Sequence, residues 1–95
     1  MKIKEGFIIR KIANTDMAVP VGNNIADFNG IITLNYTAAF LWRILKDGAK
    51  KADLIELLMK YYDVTKEIAM KDTEMFIQQL GEANILDYDE DEVSR

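Results

Sequence analysis

Residues 31–45 decide the fold, and they read Ile-Ile-Thr-Leu-Asn-Tyr-Thr-Ala-Ala-Phe-Leu-Trp-Arg-Ile-Leu. The first four residues are apolar or β-branched and predict a short strand. Asn35 follows, and asparagine is a preferred N-terminal cap of a helix. From Thr37 to Leu45 the residues leave almost no polar face, which is typical of a helix buried on several sides. This stretch therefore predicts a strand that leads directly into a buried helix.

Two further strands are predicted upstream of this stretch. Residues 7–13 are rich in β-branched side chains, and residues 16–21 return after a break at Asn14-Thr15. Together they predict a hairpin. Pro20 cannot donate a hydrogen bond to a sheet, so we expect it at an edge, a bulge or the end of the strand.

Two more helices are predicted downstream. Asp47-Gly48 ends the first helix, and apolar residues at helical spacing predict a second helix over residues 51–61. A third helix is predicted over residues 65–83, with Thr65 as its N-terminal cap. Asn84 is suited to the left-handed conformation that follows a helix, and Ile85-Leu86 then forms a short extended piece that packs back.

This order of elements predicts an α+β domain in which a three-stranded antiparallel sheet is followed by three helices, in a winged-helix-like arrangement. We expect a single domain over residues 1–86. Residues 87–95 form an acidic C-terminal tail that we expect to be flexible, since five of the six residues from Asp87 to Glu92 are acidic.

The composition excludes several classes of enzyme. The 95 residues include no cysteine and no histidine, so a disulfide, a thiolate zinc site and a Ser-His-Asp triad are impossible. The glycines are scattered and form no phosphate-binding loop. We expect no catalytic residues, no metal ligands and no cofactor, and therefore a binding module rather than an enzyme.

The sequence also bears on location and on nucleic acids. It shows no signal peptide and no apolar run near the ~20 residues of a membrane span, so we expect a cytoplasmic chain without a membrane partner. The predicted third helix carries two lysines and four acidic residues, which would repel phosphate groups. We expect no nucleic-acid partner, although a winged-helix DNA-binding module remains one alternative. A small structural subunit of a larger enzyme is another.

The remaining class is peptide binding. If the strand at residues 31–34 lies at the sheet edge, its free N–H and C=O groups can pair with an incoming strand. The third helix carries a thin apolar line beside its packed seam, and an edge strand next to this line would form a groove. The alternative is that two residues of the line, Met70 and Ile77, belong to the core.

The chain resembles the PqqD family, beginning with residues 27–42, Asp-Phe-Asn-Gly-Ile-Ile-Thr-Leu-Asn-Tyr-Thr-Ala-Ala-Phe-Leu-Trp. The family pattern is a strand ending in Leu-Asn, one further residue, Thr, a small residue and an apolar helix with Leu-Trp. Tyr62-Asp63-Val64 and a third helix with Asp72 are also similar. The resemblance spans about residues 5–86. Tyr36 departs from it, since the family often has Pro or Glu there.

The resemblance implies a RiPP recognition element, a peptide chaperone that serves the synthesis of ribosomally made, modified peptides such as pyrroloquinoline quinone (PQQ). Such a domain binds the leader of a precursor peptide as an added strand and presents it to a modifying enzyme, often a radical SAM protein. The basic residues of the N-terminal half suggest attraction to acidic leader residues. Carried over by position, the peptide-binding residues are Phe28, Gly30, Ile31, Ile32 and Thr33 on the strand, and Met70, Thr73, Glu74, Ile77, Gln78 and Gly81 on the third helix.

Overall fold

The computed structural model describes residues 1–22 and 31–88. Its elements are, in chain order, β1 (Lys2–Ile3), β2 (Phe7–Ile12), β3 (Thr15–Pro20), β4 (Ile32–Leu34), α1 (Tyr36–Leu45), α2 (Lys51–Tyr61), α3 (Lys66–Glu82) and β5 (Leu86–Asp87). The predicted α+β class is confirmed, because β2, β3 and β4 form an antiparallel sheet and three helices follow it.

The β2–β3 hairpin turns one residue earlier than the sequence predicted. Ile12 pairs with Thr15, so the two turn residues are Ala13 and Asn14, with φ angles of 51° and 65°. Two consecutive residues with positive φ match the hairpin turn whose twist suits the flanking strands. Pro20 is the last residue of β3, and the end of the strand was one of the three positions expected for it.

A second, two-stranded sheet was not predicted. β1 pairs antiparallel with β5, with Lys2 opposite Asp87 and Ile3 opposite Leu86. Ile3 and Leu86 are both buried, so this small sheet brings the two ends of the domain into the core. Its pairing reaches Asp87, one residue beyond the predicted domain boundary.

The predicted helix caps are present. Asn35 Oδ1 accepts the backbone N–H of Ala38 at 2.9 Å, and Thr65 Oγ1 accepts that of Ile68 at 3.2 Å. Asn84 follows α3 with a φ of 60°, in the left-handed region. These caps satisfy backbone groups that a helix cannot pair internally, which fixes where α1 and α3 begin and where α3 ends.

The core forms around α1, which packs against both other helices and against β1 and β4. This confirms the expectation of a helix buried on several sides. Burying one leucine side chain stabilises a fold by about 1.5–3 kcal/mol, so the leucines contributed by all three helices hold them together. Among the described residues, the largest fully buried apolar side chains are Leu41, Leu45, Leu54, Leu58, Leu80 and Ile85.

Candidate peptide-binding site

β4 lies at the edge of the three-stranded sheet. It pairs with β3 alone, with Ala18 opposite Ile32 and Asp16 opposite Leu34. Within residues 1–22 and 31–88, no strand pairs with its other edge. The condition that this strand lies at the sheet edge is therefore met among the described residues, and backbone groups at this edge are available to an added strand.

The side chains of β4 alternate between the core and the outside. Leu34 is buried and Ile32 packs partly against the core, whereas Thr33 is exposed and the neighbouring Ile31 is 57% exposed. Two predicted binding residues, Phe28 and Gly30, lie outside the described residues. The strand therefore presents an exposed isoleucine and threonine beside its open edge.

A depression of about 480 Å³ lies at the Leu34 end of β4. We call it the strand-end depression, and it connects β4 with the start of α1, the β2–β3 turn and one flank of α3. Its lining includes Lys11, Asp16, Thr33, Leu34, Tyr36, Asp72, Met75 and Gln79. The structure thus brings the edge strand together with α3, as a groove requires.

The flank of α3 in this depression is not the one that the sequence predicted. The buried seam of α3 consists of Ala69, Thr73, Phe76 and Leu80. Met75 and Gln79 follow Asp72 by three and seven residues, so all three lie on one side of this seam. Most of the predicted residues lie on the other side of that seam, which we call the second flank. They are Met70 and the residues four, seven and eleven positions after it, Glu74, Ile77 and Gly81. Gln78 lies further round and donates to the Glu82 carboxylate at 3.3 Å.

Contacts of this second flank show which elements it faces. Lys51, the first residue of α2, places its Nζ atom 2.8 Å from the Glu74 carboxylate. A Cβ atom added to Gly81 would lie 3.1 Å from the hydroxyl of Tyr88, just after β5. The second flank therefore adjoins α2 and β5, and the structure does not join it to β4 in the strand-end depression.

Thr73 lies in the seam between the two flanks. It is fully buried, and its hydroxyl has no hydrogen-bond partner among the described residues. Ile77 packs partly against the core, whereas Met70 is 38% exposed. Of the two residues that the alternative assigned to the core, Ile77 therefore agrees with it and Met70 does not.

The flank of α3 that lines the depression carries exposed apolar side chains, and apolar periodicity alone did not distinguish it from the other flank. Ile68 and Met75 lie seven residues apart and are both exposed, at 46% and 59%. Large apolar side chains left in water on one helix face are typical of a contact surface. Exposure separates them from the seam, and exposure depends on tertiary packing.

The charge of the strand-end depression is slightly negative. Lys11 Nζ lies 3.6 Å from the Asp16 carboxylate, which is 11% exposed, so these two charges offset each other. Asp72 is half-buried in the same lining, and no cation forms an ion pair with it within the described residues. The acidic leader suggested by the basic N-terminal half is therefore not favoured at this place.

Three other possibilities can be compared with the part of the chain that the structure describes: a metal site, a membrane-spanning helix and a DNA-binding surface. There, no group of three or more acidic side chains could hold a metal ion, and no helix is long and apolar enough to cross a membrane. The exposed residues of α3 include Glu67, Glu74 and Glu82 against Lys66 and Lys71, and this net negative charge would repel a DNA backbone.

Comparison with known proteins identifies the family. The sequence profile described as coenzyme PQQ synthesis protein D (PqqD) matches residues 20–86, more than half of the chain. The chain belongs to the PqqD family. The resemblance noted in the sequence is thereby confirmed, and the matched region includes β4 and all three helices. No curated protein sequence matches the chain.

Two solved structures share the fold of this PqqD-family chain. TbiB1 in complex with the TbiA(beta) leader peptide has a TM-score of 0.71 at 16% identity, covering 95% of this chain and 100% of that one. Lasso peptide synthetase B1 complexed with the leader peptide has a TM-score of 0.67 at 21% identity, covering 88% and 93%. The fold is therefore common to all three chains.

Proposed function

We propose that this PqqD-family chain is a non-catalytic adaptor that binds the leader of a ribosomally synthesised precursor peptide by strand addition and presents the peptide to a modifying enzyme. The observation that carries the proposal is the open edge of β4 beside the strand-end depression. Both solved structures that share the fold were obtained with leader peptides bound.

In this proposal the leader lies along β4 as a fourth strand of the sheet. Backbone hydrogen bonds hold it, and its side chains alternate between solvent and the flank of α3. Ile31 and Met75 are the large apolar side chains that such a strand would cover, since they are 57% and 59% exposed. Covering each would contribute about 1 kcal/mol, roughly half the value of a full burial.

The binding residues are divided between the two elements. On β4 we propose Ile32 and Thr33, together with Ile31 directly before the strand and with Phe28 and Gly30 as predicted neighbours. On α3 we propose Asp72, Met75 and Gln79, because they share the depression with Thr33. The helix residues predicted from the sequence are the competing set: Met70, Thr73, Glu74, Ile77, Gln78 and Gly81.

The partner enzyme acts on the peptide that the adaptor holds. A radical SAM protein is the partner type that the family resemblance implies, with PQQ synthesis as one setting. Because the precursor is made on the ribosome, we propose that the adaptor meets it in the cytoplasm.

Calorimetry with the leader segment of the precursor encoded beside this gene tests the proposal. We expect binding, with the backbone amide signals of residues 31–34 shifting in nuclear magnetic resonance spectra. Ile31→Asp should weaken binding about tenfold or more, a loss of about 1.4 kcal/mol. Ile8→Asp is the matched control, since Ile8 is an exposed isoleucine on β2, which does not adjoin β4.

Two helix variants decide between the flanks. Met75→Asp should weaken leader binding while Ile77→Asp leaves the affinity of the folded protein nearly unchanged, with circular dichroism confirming the fold of each. The reverse result would place the leader on the second flank. If the wild-type protein gives neither heat nor amide shifts, leader binding itself is wrong.

A further inference from the structure

The strand-end depression holds a carboxylate that the fold does not use. Asp72 projects from the middle of α3 into the lining, and it is half-buried. The residues three and four positions away on the helix are Ile68, Ala69, Met75 and Phe76, so no basic neighbour on its own helix can pair with it. A half-buried carboxylate without a cationic partner is stabilised when a ligand brings a positive charge to it.

An exposed aromatic ring lies in the same depression. Tyr36, the first residue of α1, is 84% exposed although it lines the depression with Asp72 and Met75. The face of a tyrosine ring attracts a lysine or arginine side chain, and both the ring and a methionine can pack against the methylene groups of such a side chain. The carboxylate, the ring and the thioether are thus suited to the same ligand group.

The other charges near Asp72 do not reverse this preference. Lys11 is paired with Asp16 at 3.6 Å. The N-terminus of α1 opens into the depression with a partial charge of roughly +0.5, less than the full negative charge of Asp72. Asn35 also occupies one of its free N–H groups, that of Ala38.

We propose that Asp72 and Tyr36 select leader peptides that carry a lysine or arginine side chain where the added strand passes the Leu34 end of β4. This inference rests on the proposed function, since the added strand brings the basic side chain to the depression. It goes beyond that function by assigning a charge to one position of the leader. The basic side chain pairs with the Asp72 carboxylate and packs its stem on Tyr36.

Display selection from a library of random peptides tests the inference independently of the natural leader sequence. Wild-type protein should enrich a strand-forming motif that includes lysine or arginine at one fixed position. Asp72→Asn should enrich the same motif without that basic residue. Asp63→Asn is the matched control, because Asp63 is exposed in the α2–α3 connection and outside the lining of the depression.

A synthetic peptide of the enriched sequence then gives the magnitude. Replacing its basic residue with methionine should weaken binding roughly three- to tenfold, as for a partly desolvated ion pair. Tyr36→Ala should reduce the same preference, and Asp72→Glu should retain it. Raising the ionic strength should reduce the preference for the basic peptide over its methionine version.

The outcomes separate this inference from the proposed function. A motif with no basic preference, with an acidic preference, or with a basic preference that survives Asp72→Asn would overturn the inference and leave leader binding intact. Failure to enrich any motif, together with no binding of the genomic leader, would overturn both.

Discussion

Replacing Thr73 with valine should stabilise the domain. Thr73 is fully buried in α3, and its hydroxyl has no partner among the described residues. A buried hydroxyl without a hydrogen bond costs about 1–3 kcal/mol. Valine has nearly the same shape and a similar helix propensity, and it puts a methyl group where the hydroxyl was. Because the methyl is slightly larger than the hydroxyl, we expect a net gain of about 1–2 kcal/mol.

Urea and thermal unfolding measure this gain. For a domain of this size, 1 kcal/mol moves the melting temperature by about 4–8 °C, so Thr73→Val should raise it by about 4–16 °C. The urea midpoint should rise with an unchanged slope. Thr65→Val is the matched control with the opposite sign, because its hydroxyl caps α3 at 3.2 Å and losing that cap costs about 1 kcal/mol.

Two results would refute the reasoning about Thr73. If Thr73→Val lowers stability as Thr65→Val does, the Thr73 hydroxyl has a hydrogen-bond partner in solution. If the valine variant is stable but binds the leader about tenfold more weakly, a loss of about 1.4 kcal/mol, then Thr73 takes part in binding as the sequence predicted. We expect its leader affinity to stay within about twofold of the wild type, a difference of about 0.4 kcal/mol.

Two further substitutions test the end of α3. Gly81→Ala should raise the free energy of unfolding by about 0.5–1 kcal/mol, because alanine favours a helix and its Cβ meets only the half-exposed end of Tyr88, at 3.1 Å; a lower urea midpoint would show that Tyr88 cannot move. Asn84→Ala should lower the free energy of unfolding by about 1 kcal/mol, because Asn84 has a φ of 60°. Asn84→Gly is its control and should cost less, so equal losses would contradict a backbone origin.

The sequence could predict those features that depend on a few neighbouring residues. Asn35, Thr65 and Asn84 act on backbone groups within one turn of the helix, so their side chains alone identify where helices begin or end. The end of the strand before Asn35 could also be predicted, because the spacing of apolar residues changes there from that of a strand to that of a helix. Local chemistry therefore placed the edge strand and the helices in order.

Features that depend on distant residues could not be predicted in the same way. β1 and β5 each have two residues, and their pairing joins Lys2 to Asp87 across the whole domain. The choice between the flanks of α3 is of the same kind. Met70 and Met75 are both exposed methionines on either side of one seam, and only the position of β4 distinguishes them.

The shortness of β4 limits what backbone pairing can contribute to leader binding. Three residues offer about two to four backbone hydrogen bonds to an added strand, each worth about 0.5–1.5 kcal/mol net. Their sum, about 1–6 kcal/mol, falls short of the roughly 8 kcal/mol that micromolar affinity requires. In the proposed complex the difference has to come from side chains, and large apolar groups exposed near the edge are Ile31, directly before the strand, and Met75 on the helix. A short edge also resists pairing with other copies of the chain, so in the proposed complex selectivity for a leader comes mainly from side-chain contacts with the helix flank.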